Sequence, residues 1–212
     1  MIRFAITQSV RLSVLSTLAV LATMPVAAAT FRFDTDPFAG TNASNPGRQI
    51  IGNELFIPTF NVATDVFSFD PAVFNVSAPV DFLAVGGIPI QAGSPNVVIE
   101  LLTDNDENPS TAFGAGTAAN LIAAALNEPG AGFFIYFNSG LQLPRLVYSA
   151  DLNDPTADLK ILARLTDATG QTGIDRLSEF TAANFEIVAV PEPTGLAMAV
   201  PAMVLAVRRR RV

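Results

Sequence analysis

The chemistry open to this chain is narrowed first by what it lacks: among 212 residues there is no histidine and no cysteine, and Lys160 is the only lysine. A histidine-based triad, a thiol nucleophile and the usual zinc or iron ligand sets are therefore excluded within the chain. Lys160 has no serine three residues before it, so a Ser-x-x-Lys dyad is absent as well. Gly114-Ala115-Gly116-Thr117 lacks the lysine and the spacing of a phosphate loop and reads as a turn. Carboxylates are what remains, 19 of them. Two acids across a cleft can hydrolyse a glycosidic bond, but no pair stands out here. Tryptophan is missing and only two tyrosines are present to stack on sugar rings. The chain is accordingly expected not to be an enzyme.

Oxygen-rich loops are the other chemistry that carboxylates allow. Asp104-Asn105-Asp106-Glu107-Asn108 begins like an EF-hand loop, with Asp104 and Asp106 at alternate positions. Pro109 then stands where the turn needs glycine, and Ala115 where a closing glutamate belongs. Asp151, Asn153, Asp154 and Asp158 form a second cluster, although Asn-Asp-Pro is also an ordinary turn signal. The expectation is that no cofactor is needed: both loops read by default as solvated turns, and calcium is the ion that either would take as the alternative.

The elements that would position these groups read as strands. Residues 48–60, 65–69, 80–85, 96–103, 132–138, 145–149, 157–166 and 184–190 are β-branched or aromatic runs punctuated by Pro, Gly, Asn and Asp. Phe133-Phe134-Ile135-Tyr136-Phe137 is apolar on both faces and belongs at the centre. Leu159, Ile161, Ala163 and Leu165 alternate with more polar neighbours, as a strand with one wet face requires. Helices are expected at Thr117 to Asn127, ended by Pro129-Gly130, and at Ile174 to Ala183. The pattern predicts a mainly β fold, a single antiparallel β-sandwich of jelly-roll type with one or two short helices.

Both ends of the chain read as addresses. Arg3 and Arg11 precede an uncharged run from Leu12 to Met24, and Ala27-Ala28-Ala29 gives a small-x-small cleavage site at Ala27 and Ala29. This is the pattern of a secretory signal peptide, with signal peptidase as partner and Thr30 as the first mature residue. At the other end Val190-Pro191-Glu192-Pro193 cannot continue a helix. An uncharged stretch to Val207 follows, then Arg208, Arg209, Arg210 and Arg211, which are costly to move through lipid and act as a stop-transfer block. In that order, Pro191, Glu192 and Pro193, the apolar stretch and the arginines resemble the C-terminal sorting signal of bacterial PEP-CTERM proteins. The resemblance covers about a tenth of the chain. It implies a Gram-negative source, an exosortase as processing partner, transient anchoring in the inner membrane, and delivery to the cell surface or an extracellular polysaccharide matrix such as that of a biofilm.

The chain thus divides into a signal peptide (1–29), an exported β-rich domain (30–189) and a sorting signal (190–212). Between Thr30 and Val190 lie six basic and 18 acidic residues, a net charge of −12. Such a body is repelled by nucleic acid, which is not an expected partner. The expected function is that of a structural or interaction protein of the envelope or matrix. The alternative is a carbohydrate-binding or calcium-dependent adhesive module on the same route, and a carboxylate-based glycan-acting enzyme comes third.

Overall fold

The computed structural model describes residues 27–41, 48–86, 93–108 and 110–188. In chain order the elements are β1 (Thr30–Phe33), β2 (Ile50–Ile51), β3 (Leu55–Ile57), β4 (Val66–Phe69), α1 (Pro71–Phe74), β5 (Phe82–Val85) and β6 (Val97–Glu100). They continue with α2 (Ala115–Ala125), β7 (Gly132–Asn138), β8 (Leu143–Ser149), β9 (Leu159–Leu165), α3 (Gln171–Leu177), a 3-10 turn (Ala182–Asn184) and β10 (Phe185–Ile187). The fold is mainly β, and the strands lie in two sheets. A small sheet has the order β1-β4-β10, and a large one the order β2-β9-β8-β7-β6-β5, with β3 also on β9.

β7 is buried along almost its whole length, so each of its faces needs a covering layer. Phe133, Ile135 and Phe137 face the small sheet, in one core with Phe67, Phe69 and Phe185. Phe134 and Tyr136 face the other way, in a second core with Ala118, Ile122 and Ala119 of α2. The small side chains of α2 let the helix lie close to the strands. Between the sheets the rings of Phe69 and Phe133 stack at 3.6 Å, and Phe60 stacks on Phe67 at 4.5 Å. Gly132 opens β7 because a side chain would not fit there: a Cβ would meet Leu152 Cδ1 at 2.5 Å and the Asn96 carbonyl at 2.7 Å.

The strand pairing departs from the antiparallel jelly roll that the sequence suggested. Six of the eight pairings are parallel, and only β7 with β8 and β8 with β9 are antiparallel. Connection length gives the reason. β7 and β8 are joined by four residues with Gln142 at φ 57°, a turn that suits antiparallel neighbours. β6 and β7 are separated by α2, the crossover that parallel neighbours need.

Single elements depart as well. The expected run 48–60 is broken into β2 and β3 at Gly52, Asn53 and Glu54, where Asn53 takes φ 70°. The alternation expected through β9 also fails halfway. Val147 pairs Ile161 and Leu146 pairs Ala163, so Leu162 is an extra residue on β9. Leu159 and Ile161 therefore face α2, while Leu162, Ala163 and Leu165 face the small sheet. β1 and α1 were not anticipated, α2 begins and ends two residues earlier than expected, and α3 starts before Ile174.

The stack across the sheets should carry much of the stability. Phe133→Ala should lower the free energy of unfolding by about 3–5 kcal/mol. Leu141→Ser, at a site 44% exposed, should change it by less than about 0.5 kcal/mol. Urea titrations followed by far-UV circular dichroism compare the two, and equal midpoints would mean that the aromatic layer is not the core.

Candidate functional site

The two acidic loops spend their oxygens on their own backbone. Asp104 accepts from the Asp106 amide at 3.0 Å, Asp106 from Asn108 at 3.0 Å and Asn108 from Ser110 at 3.1 Å, a run of side-chain-closed turns. In the second cluster Asp151 accepts from the amides of Gly130 and Asn153, at 3.0 and 2.9 Å. Asp154 accepts from the amide and the hydroxyl of Thr156, both at 2.7 Å, and Asp158 from the amide of Gln49 at 2.7 Å. Asn153 donates to the carbonyls of Leu126 and Ala123 and so closes the C-terminus of α2. Among the described residues no three acidic, histidine or cysteine groups converge as a metal site would require.

The cations converge more than the acids do. Glu54, in the break between β2 and β3, accepts from Arg145 at 2.7 Å and from Arg164, whose guanidinium also lies 4.5 Å from the centre of the Phe56 ring. Arg145 and Arg164 are register partners on β8 and β9. The carboxylate is nearly buried, which raises its pKa, but the two guanidiniums and its own backbone amide outweigh burial and hold it below the usual range. Two arginines on one glutamate leave an excess of one positive charge, and Arg145 Nε is buried with no described partner.

On the opposite face of the same strands lies a groove of about 520 Å³ between β1 and the β2–β3 break. Phe74 and Leu162 contribute apolar surface to it. Arg32 stands on the β1 wall, paired with Asp34 at 3.7 Å, and Lys160 on β9, and Asp36 also lines the groove. Lys160 donates through Nζ to the Gly52 carbonyl. Sequence reading picked out Lys160 only to dismiss a dyad, and it passed over Arg32, Glu54, Arg145 and Arg164. The signal was there in the scarcity of cations: five of the six basic side chains of the body lie along this edge, and only Arg176, bonded to Asp167 and the Phe60 carbonyl, lies elsewhere.

Glu100 is the other group that the sequence did not single out. It ends β6 almost fully buried, and burial pushes its pKa up to about 7 against one hydrogen bond from the Leu102 amide. Of the expected address residues, Ala27 is exposed, while Ala29 donates to Asp65 at 2.9 Å and accepts from the Val66 amide at 2.9 Å. Pro191, Glu192, Pro193 and Arg208 to Arg211 lie outside the described residues. No helix of the described residues is long and apolar enough to cross a membrane.

The Glu100 carboxyl holds its proton more tightly folded than unfolded, so the folded state binds more protons between about pH 4.5 and about 7. Stability should therefore fall as pH rises through that window and level off above it. Glu100→Gln keeps an acceptor for the Leu102 amide and should remove the slope, worth roughly 2–3 kcal/mol across the window. Urea midpoints measured against pH read it directly, and an unchanged slope would place the titrating group elsewhere. Asn153→Ala should cost about 1–2 kcal/mol through the lost α2 cap, whereas millimolar calcium should leave the melting temperature of the parent chain where it was. A calcium-induced rise would restore the loops as ligand sites.

No protein-family model matches the chain, and no curated protein and no solved structure matches it either.

Proposed function

We propose that this is an exported structural or interaction protein of the cell envelope or extracellular matrix, acting by contact rather than turnover and processed by an exosortase at its C-terminal signal. The observation that carries the reading is the ordered tail, Pro191-Glu192-Pro193, an uncharged stretch and four arginines, paired with a secretory leader at the other end. The geometry of the body is consistent with it in two places. β1 begins at Thr30, the residue expected to follow the leader, and β10 ends at Ile187, four positions before Pro191. Cleavage after Ala29 would also release Asp65 from the Ala29 amide. That carboxylate is held below its usual pKa range because hydrogen bonds from Ala29, Asn61 and Thr64 outweigh burial.

A second reading, a binding module on the same route, is favoured by the groove beside Lys160. The described geometry gives no comparable support to a glycan-acting enzyme. Mass spectrometry of protein released from the cell surface tests the route. The expected chain begins near Thr30 and lacks Arg208 to Arg211, and recovery of an intact C-terminus from the extracellular fraction would overturn the sorting assignment.

A further inference from the structure

We propose that signal peptidase cuts one residue earlier than the Ala27-x-Ala29 pattern suggests, between Ala28 and Ala29, and that the α-ammonium this exposes on Ala29 becomes the counter-charge of the buried Asp65 carboxylate. The inference rests on the reading of the N-terminal stretch as a secretory leader and moves its boundary by one residue.

Asp65 is a carboxylate without a cation. It is 5% exposed, and its oxygens accept only from uncharged donors: Oδ1 from the Ala29 amide at 2.9 Å and the Thr64 hydroxyl at 3.1 Å, Oδ2 from the Asn61 amide at 2.9 Å. Among the described residues none forms an ion pair with it, although buried charges are ordinarily paired. Its backbone is fixed as well, the amide donating to the Asn61 carbonyl at 2.8 Å and the carbonyl accepting from the Asn184 side chain at 3.1 Å. The small sheet offers no counter-charge: β4 has no titratable side chain, Arg32 of β1 is paired with Asp34, and Glu186 of β10 stands beside Ser68. The Ala29 nitrogen, already in contact with Oδ1, can become a cation without any movement of the fold. Hydrolysis of the Ala28–Ala29 bond makes it one: water adds to the Ala28 carbonyl carbon, the C–N bond breaks, Ala28 leaves as a carboxylate and its proton goes to the Ala29 amine.

The boundary falls where the chain enters the body. Ala27 and Ala28 are exposed, whereas Ala29 is partly buried and its carbonyl accepts from the Val66 amide at 2.9 Å, in the ladder that Thr30 continues beside Val66. A cut after Ala29 would remove both of its backbone groups and leave the Val66 amide and the Asp65 Oδ1 each short of a partner. A cut after Ala28 keeps both bonds and turns the second into a charge-assisted one. Val26-Ala27-Ala28 places small, uncharged residues three places and one place before that bond, which is the pattern the peptidase reads.

The test uses the exported protein, produced with its own leader in a Gram-negative host. N-terminal sequencing should return Ala29, Thr30 and Phe31 in that order. A chain beginning at Thr30 would overturn the proposal and leave the export route standing, whereas a chain still beginning at Met1 would overturn the leader reading and the proposal with it. Ala28→Leu should block the earlier cut and move it to the Ala29–Thr30 bond. The product then differs from the parent only in lacking Ala29 and should melt at a lower temperature; equal melts would refute a stabilising pair. Acetylation of the α-amine, followed by peptide mass spectrometry against pH, reads the pair without any variant. In the folded chain the apparent pKa should lie above the α-amino value of about 7.7–8.0, and the reaction at about pH 7 should run about tenfold slower than in the urea-unfolded chain. Burial without a counter-charge shifts the amine the other way, so an unchanged or lowered value would overturn the pairing with Asp65.

Discussion

A strand with no polar face must be covered twice, and in this protein β7 imposes that demand on everything around it. Phe133, Ile135 and Phe137 require an aromatic layer, which β1, β4 and β10 provide as parallel rows: Phe31 beside Phe67 beside Phe185, and Phe33 beside Phe69 beside Ile187. Phe134 and Tyr136 require a second cover thin enough to sit close, and the alanines of α2 provide it. The parallel crossover between β6 and β7 follows from the same demand, because the helix that covers the second face is also the segment that carries the chain back for a parallel strand.

Charge is handled in a correspondingly economical way. With few cations available, most carboxylates close turns or cap backbone amides instead of forming ion pairs; Asp70, which accepts from Ala72 at the start of α1, is one example. Asp34 pairs with Arg32 and Asp167 with Arg176, and Glu54, where the chain breaks between β2 and β3, takes two arginines. Removing Glu54 would leave two guanidiniums facing each other without their shared counter-charge, so the glutamate ties the edge strand to both β8 and β9.

How much of this was legible beforehand differs from element to element. The β7 boundaries were readable to the residue, since five consecutive apolar positions, Phe133 to Phe137, carry one unambiguous signal between a glycine and an asparagine. The facing of β9 was not. Its alternation looked continuous, yet the extra residue at Leu162 reverses it, and a bulge depends on the partner strand's register, which no local pattern contains. Strand direction failed for a related reason: a β-branched run looks the same whether its neighbour runs with it or against it. The acidic loops were legible as either turns or ligands, and only the positions of backbone amides showed where their oxygens go. The cations of the β2–β3 edge come from positions as distant as 32 and 164, so their meeting is a property of the fold. Their rarity was visible, and it could have prompted the question of where they gather.

The small sheet has a mechanical property that follows from its direction. β1 and β10 flank β4 and both run parallel to it, with Thr30 beside Val66 at one end and Ile187 beside Phe69 at the other. The leading and trailing segments of the chain therefore depart from opposite ends of the same three strands. Tension applied between those departures runs along the strands and stretches the β1–β4 and β4–β10 hydrogen bonds together, instead of peeling them one at a time. Such a load lies along the strands, across the hydrogen bonds of both ladders, and is shared by them.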